Sequence, residues 1–286
     1  MNIKYLIIAL IVLQSCAQKP WYGDLTFLGR FPNKLSEVSG LDKDGKGNLW
    51  VIEDNGNKDK LFQINEKAQI VKELKIENAK NADWEDLTIA KDGTVYIGDF
   101  GNNFNQRQDL VIYKIPKQQL KKKTPKAEKI KFSYPEQKEF PPTKDGFFFD
   151  SEGFFHWNGY LYVFTKNRTR PYDGRTFIYR IPDRPGNHEA ELLGDIVLCK
   201  EKDHCSVTGA DISSDGKLVA LIGYGYVYLL KDFEHASMHK ATVEPIYIVY
   251  ETQIEAVCFS DDSTLLIADE QSKTKGRNLY RYSLKD

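Results

Sequence analysis

Glu37, Glu85, Glu152, Thr208 and Glu255 each open a short apolar run followed by an Asp-Gly-like turn and a second apolar run. The phrases are Glu37-Val38-Ser39-Gly40-Leu41, Glu85-Asp86-Leu87-Thr88-Ile89, Glu152-Gly153-Phe154-Phe155-His156, Thr208-Gly209-Ala210-Asp211-Ile212 and Glu255-Ala256-Val257-Cys258-Phe259. Four carboxylates and a hydroxyl delivered to one place form an oxygen-only donor set. Such a set suits a hard cation, Ca²⁺ ahead of Mg²⁺, because calcium tolerates irregular coordination. Without a cation the carboxylates would repel one another and their pKa values would rise. The same side chains also suit a plainer task, capping strand ends and accepting from neighbouring backbone N–H groups or water.

A second set of polar residues follows the second apolar run of each phrase. These are Asp54 and Asn55; Asp99, Asn102 and Asn103 with Arg107; Lys166, Arg168, Arg170 and Arg175; Tyr224; and Asp269 with Arg277. Taken singly, each cluster is ordinary turn chemistry. Brought together, carboxylates beside several guanidinium groups and an ammonium would cradle a small anion, phosphate above all.

The elements that would bring them together are legible from the repeat. Steps of 48, 67, 56 and 47 residues between the opening positions fit one four-stranded unit per repeat. Alternation and turn signals divide the first unit into strands 38–42, 49–52, 61–64 and 70–76, and the second into 87–90, 95–97, 110–115 and 128–134. The third reads as 153–156, 160–164, 176–181 and 191–198, the fourth as 210–213, 218–222, 226–230 and 243–250. The fifth has only 256–260, 265–268 and 278–284, and the alternating segment 24–31 supplies its missing strand. The expectation is an all-β, five-bladed β-propeller of four-stranded antiparallel blades closed by the N-terminal strand. Six blades are the alternative, drawing on the Lys/Pro-rich loops 117–126 and 136–145. No helix beyond a turn or two near 232–239 is expected. The first strand of each blade would line a central tunnel, with the opening residues and the polar loops on one rim.

Lys4 and the apolar run 5–13 read as a secretory leader too short to cross a bilayer. The run ends in Leu13-Gln14-Ser15-Cys16, which divides the chain into a signal peptide 1–15, a lipidated tether 16–23 and a single domain 24–286; an ordinary cleaved signal with an accidental cysteine is the alternative. A formal charge of −1 gives no basic surface for nucleic acid. Cys199 and Cys205 flank a short charged loop and would close it as a disulfide, or stand as two thiols; Cys258 lies within an apolar run. The five histidines are scattered, and neither G-x-S-x-G nor H-E-x-x-H occurs.

Three resemblances follow from these residues. The segment at Cys16 resembles the lipobox of bacterial lipoproteins, which implies a cell-envelope protein, an outer-membrane lipoprotein facing the periplasm or the surface, attached by its lipid alone. Asp83-Trp84-Glu85-Asp86-Leu87 and Tyr96-Ile97-Gly98-Asp99-Phe100-Gly101-Asn102-Asn103 resemble phytase-like and SdiA-regulated bacterial propellers. Glu37 to Leu41, Glu85 to Gly98, Ser151-Glu152, Thr208 and Ile254-Glu255-Ala256 resemble the calcium-activated nucleotidases, five-bladed apyrases with an axial calcium. That last resemblance implies Ser39, Glu85, Glu152, Thr208 and Glu255 as ligand counterparts, and Asp54, Lys166, Arg168 and Arg170 near the phosphates. As an enzyme, the chain would hydrolyse a phosphoanhydride or phosphate ester, with Asp54 or Asp99 as general base and Arg168 and Arg170 offsetting charge. Otherwise it would act as a monomeric binding propeller for a cell-surface partner, with structural calcium.

Overall fold

The structure, a computed structural model, describes residues 21–248, 250, 252–273 and 275–284. The leader and Cys16 lie outside the described residues. Strand β1 (Thr26–Arg30) comes first, followed by the first blade, β2 (Val38–Lys43), β3 (Leu49–Glu53), β4 (Lys60–Ile64) and β5 (Ile70–Lys75). The second blade contains β6 (Trp84–Ile89), β7 (Val95–Asp99), β8 (Val111–Ile115) and β9 (Glu128–Ser133). The third has β10 (Asp150–Trp157), β11 (Tyr160–Lys166) and β12 (Arg175–Pro182); then β13 (Gly186–Glu189) leaves it, and β14 (Glu191–Val197) completes it. The fourth is β15 (Gly209–Ile212), β16 (Val219–Gly223), β17 (Tyr226–Lys231) and β18 (Thr242–Tyr247). The fifth, β19 (Ile254–Asp261), β20 (Thr264–Asp269) and β21 (Asn278–Ser283), takes β1 as its outer strand, Thr26 opposite Arg281 and Arg30 opposite Asn278.

Five sheets therefore make a five-bladed β-propeller closed by the N-terminal strand, and six blades are excluded. The loop 117–126 holds only a 3₁₀ turn, Lys117–Lys121. One element was not expected: β13 pairs in parallel with β9, giving the second sheet a fifth strand and covering its outer edge. Covering an edge removes a template for unwanted pairing. Four residues around His188 carry no alternation that would have announced it. Three further short turns occur among the described residues, the 3₁₀ turn Lys144–Gly146, Lys202–Cys205 in the loop closed by the Cys199–Cys205 disulfide, and the 3₁₀ segment His235–Lys240. Cys258 is free and buried.

The apolar core is five slabs between adjacent blades, not one centre. Trp50, Trp84, Ile97 and Tyr113 fill the seam between blades one and two; Phe100, Phe132, Phe154 and Tyr179 fill the next. Middle strands face a slab on both sides, so β3, β7 and β16 are buried along their whole length. This explains why they read as continuous apolar runs, whereas the outer β9 alternates.

Toward the axis the inner strands come close. A Cβ on Gly40 would lie 2.5 Å from the Leu87 nitrogen, and one on Gly153 would lie 2.7 Å from the carbonyl carbon of Gly209, so glycine is required where neighbouring blades meet. Each inner edge also presents backbone N–H groups with no further strand to pair with. Asp86 accepts from Leu87, Phe154 and Ala210 at 2.8, 3.1 and 3.4 Å; Asp42 accepts from Ile89 at 2.5 Å and Asp211 from Phe259 at 2.7 Å. These carboxyls stitch one blade to the next from inside the tunnel.

Burial pushes the Asp42 carboxyl up to about 7 and raises Asp86 and Asp211 well above the usual range, Asp211 further through the charge of Asp42. A carboxyl whose pKa is higher folded than unfolded holds protons that the unfolded chain releases. Its contribution is complete below about pH 3.8 and is lost as pH rises through about 7. Asparagine keeps an acceptor for the Ile89 N–H and does not ionise. Urea midpoints should therefore fall between pH 5 and pH 8 more steeply in the unsubstituted protein than in Asp42→Asn, and equal slopes would show that Asp42 is not the titrating group.

Candidate functional site

The rim where β-strand pairs one and two of each blade begin and end carries the polar residues. Register shifts mark the inner strands there. The pairing slips between Trp84 and Asp86, between Ser151 and Gly153, and between Ile254 and Ala256. The extra residue of each bulge is Glu85, Glu152 or Glu255. A bulge leaves one residue out of the ladder and re-aims its side chain, which turns these glutamates out of the pleat at one level. In the first blade the slip spans Val38 to Leu41, so Ser39, and not Glu37, occupies the corresponding place. Its hydroxyl donates to the carbonyl of Glu85. Thr208 precedes β15 and donates from Oγ1 to the carbonyl of Ile254 at 2.6 Å. The level holds three glutamates and two hydroxyls rather than four glutamates and one.

The acids gather on one side of the tunnel. Carboxylate oxygens of Asp54, Asp83 and Glu85 lie within 4.8 Å of one another, and so do those of Glu85, Asp150 and Glu152. Glu85 is common to both groups. Asp83 and Asp150 were missed as site residues, although each is an acid two positions before a glutamate of the repeat. Gly101 makes room for the cluster, since a Cβ there would lie 2.6 Å from the Asp83 carboxyl carbon.

Two cations counter this charge. Lys166 Nζ lies 2.7 Å from Glu152; Arg168 donates to Asp150 through Nε and to Glu152 through Nη2 at 2.9 Å. Asp150 and Glu152 are buried and Lys166 and Arg168 partly so, and burial opposes both cations. Glu152 and Glu255 outweigh it at Lys166, and Asp150 and Glu152 outweigh it at Arg168, so both pKa values are raised. On the acid side, burial is the largest cause throughout. It lifts Asp54 to about 7, helped by the charges of Asp83 and Glu152, and lifts Glu85 well above its ordinary value, helped by Glu152, Asp54, Asp83 and Asp150. Glu255 rises to about 8 against the pull of Lys166, while accepting from the Tyr224 hydroxyl at 2.7 Å.

The remaining expected residues have other surroundings. Glu37 is exposed and accepts from Asn57 at 2.6 Å. Asn55 donates to Asp83 at 2.6 Å and so borders the cluster. Asn102 shapes its own loop, accepting from the backbone of Gln106 and Arg107 and donating to the Phe149 carbonyl; Asn103 is partly buried beside it. Asp99 pairs with Arg107 at 2.9 Å and accepts the Asp83 N–H. Asp269 is saturated by Asn278, Thr252 and Tyr280. Arg277 turns to Asn33, and among the described residues no side-chain hydrogen bond or ion pair involves Arg170, which is exposed.

No family model matches the chain, and no curated protein does. Among solved structures it is similar to an α-L-arabinanase of Penicillium chrysogenum with arabinobiose, at 8% identity over 90% of this chain and 81% of that one, TM-score 0.52. It is also similar to a gluconolactonase of Xanthomonas campestris (13% identity, 87% and 72% covered, TM-score 0.47). A catalytically inactive virginiamycin B lyase of Staphylococcus aureus with quinupristin has 15% identity, 89% and 69% coverage and TM-score 0.45. The likeness is one of fold, the β-propeller.

Removing one partner of a buried ion pair strands the other. Lys166→Met should cost about 3–5 kcal/mol in urea unfolding. A cost below about 1 kcal/mol, the level of an exposed pair, would mean that Glu152 is not confined as described.

Proposed function

We propose that the acidic mouth of this propeller holds a hard divalent cation, Ca²⁺ before Mg²⁺, and receives a small anion carrying a phosphoryl group. The observation that carries this reading is Glu85. It sits among four other carboxylates whose charges push its pKa up further, and among the described residues no hydrogen-bond donor reaches its side chain, so an oxygen-ligated cation would relieve the repulsion. Asp83, Glu85, Asp150 and Glu152 would hold the ion, with the hydroxyls of Ser39 and Thr208 and the carboxylate of Glu255 farther round the tunnel. When bound, such an ion supplies Lewis acidity at a phosphoryl oxygen and orients water.

The chain's own groups supply the rest. Lys166 and Arg168 lie beside the acids and would meet the anion's charge. Asp54, partly exposed at the edge of the cluster, is placed to take a proton from water, whereas Asp99 is committed to Arg107. The reading is thus a metal-dependent hydrolase of phosphoanhydrides or phosphate esters, apyrase-like in its chemistry. The leader and Cys16 support a bacterial lipoprotein of the cell envelope. A second reading, a binding propeller with a structural cation, is favoured by the pairing of Asp150 and Glu152 with Lys166 and Arg168, which already balances part of the charge.

The experiment is phosphate release from a panel of nucleoside di- and triphosphates and phosphate esters, with and without calcium. The combined variant Glu85→Gln/Glu152→Gln should lose about a hundredfold or more in turnover. No release from any member would end the hydrolase reading, and a calcium-dependent rise in Tm abolished by Glu85→Gln would leave the binding reading standing.

A further inference from the structure

Where the described chain begins, aromatic side chains collect on the outer wall of the propeller at the seam between blades four and five. Trp21 is 69% exposed and Phe27, on the outermost strand β1, is 42% exposed. Tyr22 stacks on Phe27 with ring centres 5.3 Å apart and meets Tyr250 and Tyr280 edge-on or tilted at 5.3 and 5.4 Å. Leu25 closes a turn by donating its N–H to the Tyr22 carbonyl at 3.1 Å, which holds this group against the wall. The result is a fixed aromatic surface with its outermost rings in solvent.

The chain that precedes it identifies its occupant. Four residues, 17–20, separate Cys16 from Trp21. Five peptide steps reach roughly 17 Å at full extension. On the lipidation of Cys16 proposed above, on which this inference rests, Trp21 cannot stand farther than that from the lipid surface. Tryptophan and tyrosine favour the headgroup level, where an apolar ring and a polar edge are both accommodated. We propose that Trp21, Tyr22 and Phe27 form a membrane-facing surface that seats the propeller against the bilayer interface. The acidic mouth, built from inner strands and their loops, is not part of that surface and stays open to solvent. A second copy of the chain is the competing occupant.

Protein taken from the cell envelope is first weighed intact for lipid on Cys16, then reconstituted in phosphatidylcholine vesicles with brominated acyl chains. A zwitterionic lipid suits a patch that has Asp24 at its edge. Trp50 and Trp84 are buried, and Trp157 is enclosed between Lys91 and His235, so Trp21 is the tryptophan within reach of lipid. Bromine should quench most of the emission that Trp21→Ala removes, and Phe27→Ser should weaken that quenching. Trp21 emission as open to aqueous acrylamide in vesicles as in soluble Cys16→Ser protein would overturn the proposal, as would a soluble dimer dispersed by Trp21→Ala. A Cys16 without lipid would end the anchor reading separately. The chain coupled through Cys16 to a maleimide lipid then tests the surface itself, because Cys199 and Cys205 are bridged and Cys258 is buried: quenching upholds the surface, and no quenching overturns it.

Discussion

Five edge strands converge on one axis, and the backbone N–H groups of their inner edges must be satisfied where no further strand fits. That constraint shapes the centre of the molecule. A buried amide without an acceptor costs about 1–3 kcal/mol, so the inner strands carry acceptors toward the tunnel. Asp42, Asp86 and Asp211 fill this role in the depth of the tunnel, each reaching a neighbouring blade. Ser39 and Thr208 do the converse, donating to carbonyls of the next inner strand. The ring is held at its outside by the β1–β21 pairing and at its inside by side chains, and the apolar slabs between blades supply the bulk of the packing.

The same geometry concentrates charge. Inner strands that approach to glycine contact leave a narrow passage, and a bulge in three of them turns a glutamate into it. Burial, more than mutual repulsion, is what raises these carboxyls, because a buried carboxyl loses part of the hydration that would stabilise its ionised form. Repulsion adds to it at Glu85, the residue with four acidic neighbours.

Lys166 and Arg168 set the character of the mouth. Both come from the end of β11 and its loop, both are drawn inward by Asp150 and Glu152, and both hold their charge despite burial. Among the described residues the acids on the Asp54 and Asp83 side have no ion pair of their own, Asp83 feeling Arg107 and Arg168 only through their charge, so compensation is strongest toward blade three. A cation on one side and an anion reaching toward the other is the arrangement that such a gradient favours.

Much of the architecture was legible along the chain. The repeated Glu-to-apolar phrase, the Asp-Gly hairpins and the orphan alternating segment before residue 31 sufficed for five blades and their closure, because strand period and turn chemistry are local. The parallel strand β13 was not legible, since its pairing partner lies more than fifty residues away and its own residues are polar throughout. Among candidate ligands, Glu85 and Glu152 were correctly placed near one another by repeat position alone. Asp83 and Asp150 joined them only in three dimensions, and Asp99, Asn102 and Asp269, identical in type to residues that bind ligands, proved to be occupied by their own loops. Residue type and repeat register were determined by the sequence itself. Which oxygen is left without a partner was decided by the tertiary structure, because bulges, inter-blade contacts and burial act on residues that the chain keeps far apart.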